Sequence, residues 1–220
     1  MADFTDNSSV AHLARVTGNR DLVSHPNILK WAYEGKLFTA GVGTEHAGVS
    51  GVSTLADITP SCALTASSSA TTLVLPILLR AMTHTEGGAL GKFYVAVTRA
   101  AADCATALTV SGTAFTAIQN HNVTYTASPT AAATYTCTAS VLTNADYQNI
   151  LLTQSADNIV TGTGGLGYDE GTMISLDLLA TPRILHSGAA LLGFAYTGNA
   201  TIAKYTFSIT WAELTASDLV

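Results

Sequence analysis

From Lys36 onward, the apolar positions of the chain recur with a period of two, which is the spacing of a β-strand. The last such segment is the clearest case, because Tyr205, Phe207, Ile209 and Trp211 alternate with small or polar residues. This alternation predicts a strand with one apolar face turned to a core and one polar face turned away from it.

Short segments of the same kind follow one another along the chain and predict about ten strands. They are rich in threonine, β-branched and aromatic residues and are separated by Gly, Ser, Asn or Pro. In chain order they read KLFTAGV, GVSTLADI, SCALTAS, TTLVLPILLRAM, KFYVAVTRA, ALTVSGTAFTAI, NVTYTA, AATYTCTAS, TMISLDLLA, ALLGFAY and IAKYTFSITWAEL. One further segment, NADYQNILLT at 144–153, is compatible with a helix that begins at Asn144 and equally with a strand.

Helical signals are confined to residues 9–35. Ser9 can cap a short turn that runs to Val16, Pro26 stands at the first turn of the segment NILKWAYEG, and Gly35 follows it in the position that ends a helix. No helix separates the later strands, so we expect an all-β fold, an antiparallel jelly-roll sandwich with a short N-terminal helical arm. The expected organisation is an arm with short helices over 1–35 and a single jelly-roll β-sandwich domain over 36–220.

The amino-acid composition predicts that the surface of this sandwich carries few charged residues. Hydrophobic residues make up 48% of the chain and charged residues only 11%, against about 25% in an average soluble protein. Thr, Ser, Ala, Gly and Asn must then cover much of the surface, and a neighbouring subunit can bury such residues at a small desolvation cost. This composition favours a surface that is shared between subunits.

The formal net charge is −6, and five basic residues follow Lys36. A nucleic-acid interface needs a row of cations to neutralise phosphates, so direct sequence-specific nucleic acid binding is not expected. The N-terminal segment is not a basic arm either, since acidic residues balance its basic ones.

The most hydrophobic run extends from Leu73 to Met82 and contains Pro76 and Arg80. It is well short of the roughly 20 apolar residues that span a bilayer. We expect a buried strand here, and no transmembrane segment. The start MADFTDNSS lacks the features of a secretory signal peptide, so export is not expected.

Three cysteines, Cys62, Cys104 and Cys137, are an odd number without a CxxC spacing. They are expected to be buried thiols, not a zinc site or a complete disulfide framework. The six histidines are scattered singly, without an HxH or HExxH pair that would place two imidazoles on one metal. A GxSxG nucleophile elbow is also missing from the sequence.

The sharpest motif match is a literal GxGxxG from Gly162 to Gly167. A dinucleotide site needs a strand before this motif and a helix after it, and here a turn leads into a strand, so we expect a glycine loop. Asp157, Asp169 and Glu170 lie near this loop and could supply oxygen ligands to calcium, but they lack the EF-hand spacing and are expected to be exposed loop acids. No catalytic, cofactor-binding or metal-binding residue is assigned, and the chain is not expected to be an enzyme.

The order of segments carries a family resemblance. A helical lead-in precedes LFTAGVGTEHAGVSG, TLADITPSCALTAS, SSATTLVLPILLRAM and a Tyr/Phe/Ile/Trp strand that ends WAELTASD. This order resembles the single jelly-roll capsid proteins of icosahedral viruses, including tailless bacteriophages. The resemblance implies an arm before an eight-stranded sandwich, subunits that pack side by side in a closed shell, assembly in the host cytoplasm and a final place in the virion. Its implied partners are copies of the same chain, with other virion proteins as further candidates.

The sequence departs from many RNA-virus coats in lacking an arginine-rich arm, so genome packaging by such an arm is not implied. Three alternatives stay open on the sequence. The first is another virion module, such as a spike, fibre or tail subunit. The second is a carbohydrate-binding β-sandwich in which Trp31, Tyr168 or Tyr196 stacks on sugars, and the third is a hydrolase built from dispersed histidines and acids.

Overall fold

The computed structural model describes residues 3–5, 11–13, 27–43, 48–50, 60–67, 71–85, 91–100, 110–115, 117–125, 129, 132–140, 147–156, 173–179, 182–196 and 204–218. The helix α1 (Asn27–Tyr33) lies near the N-terminus, and a 3-10 helix (Ala216–Asp218) lies near the C-terminus. The strands are β1 (Asp3–Thr5), β2 (Ala11–Leu13), β3 (Leu37–Val42), β4 (Val49–Ser50), β5 (Cys62–Ala66), β6 (Leu73–Thr85), β7 (Gly91–Thr98), β8 (Val110–Ala114), β9 (Ala117–Asn120), β10 (Ala132–Ser140), β11 (Tyr147–Ala156), β12 (Met173–Asp177), β13 (Ala190–Tyr196) and β14 (Lys204–Leu214).

Two antiparallel sheets pack as a sandwich. One has the strand order β11-β7-β13-β5-β10-β8, and the other has the order β12-β6-β14-β3-β9 with β4 beside β14. β1 and β2 form a separate two-stranded pair.

Within these sheets the strands form a nested set of antiparallel pairs: β3 with β14, β5 with β13, β6 with β12, and β7 with β11. The first strand of this set therefore pairs with the last, the second with the last but one, and so inward. A ribbon of nested pairs that folds over into two sheets is the jelly-roll arrangement. The predicted fold class, an antiparallel jelly-roll sandwich with a short N-terminal helix, is confirmed.

The core between the sheets is held together by aromatic side chains of β14. Tyr205, Phe207 and Trp211 are buried, as the alternation of this segment predicted. The ring of Phe207 stacks on Phe93 of the opposite sheet with centroids 5.9 Å apart, and the ring of Trp211 stacks on Phe38 at 5.8 Å. Aromatic pairs at these separations add stabilisation beyond the apolar area that they bury.

The end of α1 follows from the glycine that the sequence marks there. Gly35 has a φ of 72°, which glycine adopts at little cost. The backbone N–H of Gly35 donates to Ala32 O at 3.0 Å, and that of Lys36 donates to Trp31 O at 2.8 Å. These two bonds form a Schellman motif, which satisfies the last carbonyls of the helix and turns the chain into β3. The predicted helix over NILKWAYEG and its end are confirmed.

A second apolar cluster lies where α1 packs. Ile28, Trp31 and Ala32 recur at helical spacing, and they pack against residues that alternate with the inward-facing ones of the strands. The strand residues of this cluster are Leu37, Leu75, Ile77, Leu78, Ala212 and Leu214, with Leu179 after β12. The helix therefore covers part of the outer face of the β6-β14-β3 sheet.

The structure corrects three local predictions. The helical turn expected over residues 9–16 contains β2 instead, because a single isolated turn is costly to nucleate whereas pairing with β1 supplies backbone hydrogen bonds. ALTVSGTAFTAI was expected to be one strand but divides into β8 and β9 in different sheets, since Phe115 between them enters the core. NVTYTA was expected to be a strand, but Asn122–Tyr125 forms a turn after β9.

Other expectations are resolved where the structure describes them. NADYQNILLT, left open between helix and strand, contributes most of β11. Leu73–Met82 lies within β6 as predicted, and Cys62 is a buried thiol. Cys104 and the segment GVSTLADI lie outside the described residues, as does the side chain of Cys137. None of the helices described is long and apolar enough to span a bilayer.

Candidate interaction surface

Exposed apolar side chains gather around the end of α1. Leu29 and Tyr33 of the helix are 58% and 80% exposed, and Val123 and Tyr125 of the loop after β9 are 94% and 51% exposed. Among the described residues, the other exposed large hydrophobics are Met82 and Ile184. We refer to Leu29, Tyr33, Val123 and Tyr125 as the apolar surface.

The helix contributes its outward side to this surface. Ile28, Trp31 and Ala32 pack on the sheet, whereas Leu29 and Tyr33, which are four residues apart, lie together on the side away from it. Solvent exposure of Leu29 and Tyr33 is thus a consequence of how α1 docks.

Side-chain amides fix the loop to the helix end. Asn122 Nδ2 donates to Tyr33 O at 2.7 Å, and Asn120 Nδ2 donates to Gly35 O at 2.7 Å. Asn122 Oδ1 accepts from the backbone N–H of Thr124 at 3.1 Å and from its hydroxyl at 2.7 Å. Short polar side chains that bond to nearby backbone compete with a strand ladder, which explains why this segment turns.

Tyr125 closes the loop onto the helix end. Its backbone N–H donates to Asn122 O at 3.0 Å, and its ring lies against Gly35, where a β-carbon would be 2.5 Å from Tyr125 Cγ. One face of the Tyr125 ring is therefore covered by backbone, while the side chain as a whole stays half exposed.

The start of the loop is anchored to the sheet through His121. Its backbone N–H donates to Leu37 O at 3.0 Å, and its Nε2 lies 2.7 Å from Thr39 Oγ1. Thr39 Oγ1 also lies 2.8 Å from Thr210 Oγ1, so a chain of polar contacts crosses from the loop over β3 to β14. The exposed apolar side chains therefore project from a backbone that is held at several points.

Two shallow depressions flank Tyr125. The first, with a volume of about 570 Å³, is lined by Ala32, Tyr33, His121, Asn122, Val123, Thr124 and Tyr125. The second, of about 340 Å³, is lined by Gly35, Lys36, Phe38, Thr72, Asn120, Tyr125, Glu213, Leu214, Thr215 and Asp218.

An ion-pair cluster borders the second depression. Lys36 Nζ lies 2.7 Å from Glu34 Oε2 and 2.6 Å from Asp218 Oδ1. Burial alone would raise the pKa of Asp218, but hydrogen bonds from Lys36 and Thr215 outweigh burial and lower this pKa from 3.8 to about 2. The bonds to Asp218 and Glu34 in turn raise the pKa of Lys36. The cluster ties the C-terminal 3-10 helix to the turn after α1.

The sequence suggested several residues for ligand binding or metal coordination, and those that the structure describes do not come together in one site. The side chain of Trp31 is only 6% exposed, because it packs between α1 and the sheet. The expectation that it could stack on a sugar is therefore wrong. Among the described residues, no three His, Cys, Asp or Glu side chains are grouped as metal ligands. The GxGxxG segment, Asp157, Asp169, Glu170 and Tyr168 lie outside the described residues, as does the side chain of Tyr196.

Sequence reasoning did not single out Tyr33, Val123 or Tyr125. NVTYTA alternates as a strand does, and that alternation hid the turn. The available signal was the pair Asn120 and Asn122 just after the strand, because asparagine side chains favour local bonds to backbone.

Comparison of the chain with protein-family models, with curated proteins and with solved structures gives no match.

Proposed function

We propose that this chain is a structural subunit that assembles with copies of itself into a closed viral capsid shell. The proposed role is non-catalytic, and the proposed location of the assembled chain is the virion. The observation that carries the proposal is the jelly-roll strand order, with its nested pairs from β3–β14 to β7–β11. This architecture is typical of viral capsid domains, although lectins and cupins also use it.

The composition supports a shell subunit over a jelly roll that works alone. Only 11% of the residues are charged, so copies can cover much of each other's surface without burying unpaired charges. With a net charge of −6 and few basic residues, direct contact with the genome is not part of the proposal.

The sheet edges support assembly as well. Within the part of the chain that the structure describes, β11 and β8 end one sheet and β12 and β9 end the other. Strand edges with few charges are an aggregation hazard unless something covers them, and ordered contacts between subunits would do so. The loop after β9, which carries Val123 and Tyr125, lies beside one of these edges.

The test is negative-stain electron microscopy of the purified chain, with light scattering at physiological and at high salt. Uniform closed particles are expected, and high salt should not dissolve them, because contacts between weakly charged surfaces depend little on screening. Filaments or rings would favour a tail or fibre subunit instead. A chain that stays monomeric at high concentration under both conditions would contradict self-assembly.

A further inference from the structure

We propose that the larger of the two depressions, between the end of α1 and the loop after β9, is a binding site for a neutral sugar residue of a glycan. In this site the rings of Tyr33 and Tyr125 stack on the C–H groups of the sugar, and His121 and Thr124 hydrogen-bond its hydroxyl groups. This binding activity goes beyond the proposed shell and does not depend on it.

The ring of Tyr125 presents one open face. A β-carbon at Gly35 would lie 2.5, 2.7 and 2.8 Å from Cγ, Cδ1 and Cδ2 of Tyr125, and a point at these three distances is above the ring plane and not beside its edge. The backbone at Gly35 therefore covers one face of the ring. Tyr125 is still 51% exposed, so its exposure comes from the opposite face and the ring edge. A flat open ring of this kind attracts the slightly positive C–H groups of a sugar, because the face of an aromatic ring is negative.

The open face of Tyr125 borders the larger depression. Tyr125 lines both depressions, whereas Gly35 is among the residues that line the smaller one. The larger depression is therefore on the side of the ring away from Gly35. Tyr33 also lines this depression and is 80% exposed, so two tyrosine rings border one space of about 570 Å³. This volume is within the usual range for sites that bind small ligands.

Polar groups of the same depression can bind the hydroxyl groups of a sugar. The hydroxyl of Thr124 donates to Asn122 Oδ1 at 2.7 Å, which leaves the lone pairs of the Thr124 oxygen as acceptors. His121 contacts Thr39 Oγ1 through Nε2, which leaves Nδ1 to donate or accept a hydrogen bond. A purely apolar ligand would desolvate these groups without giving them partners, at a cost in free energy.

The lining of the depression favours a neutral ligand. Among the residues that the structure describes, it consists of Ala32, Tyr33, His121, Asn122, Val123, Thr124 and Tyr125, without an aspartate, glutamate, lysine or arginine. Phosphates and carboxylates are usually recognised by arginine or lysine side chains. Lys36 lines the smaller depression and already pairs with Glu34 and Asp218. A neutral, hydroxyl-rich ligand therefore matches this lining better than an anionic one.

The walls of the depression are held in place before a ligand arrives. Asn122 Nδ2 donates to Tyr33 O at 2.7 Å and so ties the loop to the end of α1. The backbone N–H of His121 donates to Leu37 O at 3.0 Å and ties the start of the loop to the sheet. A bound sugar therefore has little backbone left to order, which lowers the entropic cost of binding.

The test is saturation-transfer difference NMR of the full chain with neutral disaccharides at millimolar concentration. The panel contains cellobiose, maltose, lactose and N,N′-diacetylchitobiose, and sialyllactose is the charged counterpart of lactose. We expect at least one neutral disaccharide to bind, with stronger saturation of the C–H protons on one face of a sugar ring, because that face lies on a tyrosine.

Substitutions at Tyr33 separate ring stacking from general apolar contact. Tyr33→Leu keeps an apolar side chain but removes the ring, and we expect it to weaken binding by at least about tenfold, the size of a hot-spot loss. Tyr33→Phe should restore most of the binding, because the ring remains. Met82→Ala is the matched control at another exposed apolar position, on β6 opposite Thr206, and should bind as the unmodified chain does. Melting temperatures of all variants show that the fold is retained.

Several results would overturn the inference. One is the absence of a signal from every neutral disaccharide of the panel, and another is binding that Tyr33→Leu leaves unchanged, which would place the sugar elsewhere. Stronger binding of sialyllactose than of lactose would contradict a neutral site. Binding of the detergent dodecyldimethylamine oxide in place of the sugars, with the same dependence on Tyr33, would show a purely apolar site. None of these results depends on whether closed particles form, so the shell proposal is tested separately.

Discussion

The ring of Tyr125 lies against Gly35, so a β-carbon at Gly35 would stand 2.5 Å from Tyr125 Cγ. Gly35 also has a φ of 72°, a conformation that costs other residues about 1–2 kcal/mol. One residue therefore both ends α1 and seats the ring that closes the loop of the apolar surface.

We expect Gly35→Ala to lower the free energy of unfolding by about 2 kcal/mol or more, the sum of backbone strain and displacement of Tyr125. Urea denaturation measures this loss. Gly41→Ala is the matched control, because a β-carbon there meets only Phe207 O at an ordinary 3.6 Å and no positive φ is involved. Equal stability of the two variants would contradict the close packing of Tyr125 on Gly35.

Replacing Tyr205 by phenylalanine should stabilise the protein. Tyr205 is 2% exposed, its hydroxyl has no hydrogen-bond partner among the described residues, and burial raises its pKa to about 12. Removing a buried hydroxyl that lacks a partner removes a desolvation cost, so Tyr205→Phe should gain about 1 kcal/mol in urea denaturation. Tyr94→Phe, at a half-buried position, should change stability by less than about 0.5 kcal/mol. A clear loss of stability in Tyr205→Phe would show that the hydroxyl is bonded.

Phe207 joins the two sheets, since its ring stacks on Phe93 and lies 6.0 Å from that of Tyr205. Phe207→Ala should lower the free energy of unfolding by about 3–5 kcal/mol, because it leaves a cavity at the centre of the core. The control is Lys204→Ala, at an exposed position three residues before Phe207. Apart from the loss of any contacts that Lys204 itself makes, this substitution should lower the free energy of unfolding by no more than about 0.5 kcal/mol. A small loss in Phe207→Ala, measured by thermal or urea unfolding, would contradict the central position of this ring.

The ion pair of Lys36 and Asp218 predicts a pH dependence. The pKa of Asp218 is lowered from 3.8 to about 2 in the folded chain, so its contribution to stability is fully present above its unfolded pKa and is lost as the pH falls through about 2. Asp218→Asn should therefore cost about 1 kcal/mol near neutral pH, and its difference from the unmodified chain should shrink between about pH 4 and pH 2.

A double-mutant cycle with Lys36→Met serves as the control for this pair. If the two side chains stabilise each other, Asp218→Asn should cost less in the Lys36→Met background than in the unmodified chain. Additive losses, or a difference that does not change with pH, would show that the pair contributes nothing to folding.

Much of the fold could be predicted because local patterns and tertiary packing agree in it. β14 alternates cleanly since one of its faces enters the core, and α1 ends where Gly35 permits a left-handed residue. The division between β8 and β9 was missed, although the apolar alternation changes phase there: Val110 and Ala114 are in one phase, whereas Phe115 and Ala117 are in the other. Strand order also depends on pairing between distant residues, which no local pattern contains.

The apolar surface was harder to predict for a related reason. Tyr33 belongs to an amphipathic helix, and only the docking of Trp31 on the sheet decides that Tyr33 faces outward. Trp31 itself looked like a candidate for sugar stacking and is buried, because the sequence does not show which side of so short a helix meets the core. Val123 and Tyr125 alternate like strand residues and become exposed through the side-chain bonds of Asn122.

Sedimentation velocity of the unmodified chain over a wide concentration range tests self-assembly into a closed shell most directly. Closed assembly is cooperative and stops at a fixed size, so we expect one fast boundary of constant sedimentation coefficient that grows with concentration beside a slow boundary of small species. A fast species whose size rises continuously would indicate an open filament. A single slow boundary of monomer at every concentration would contradict the proposed shell subunit.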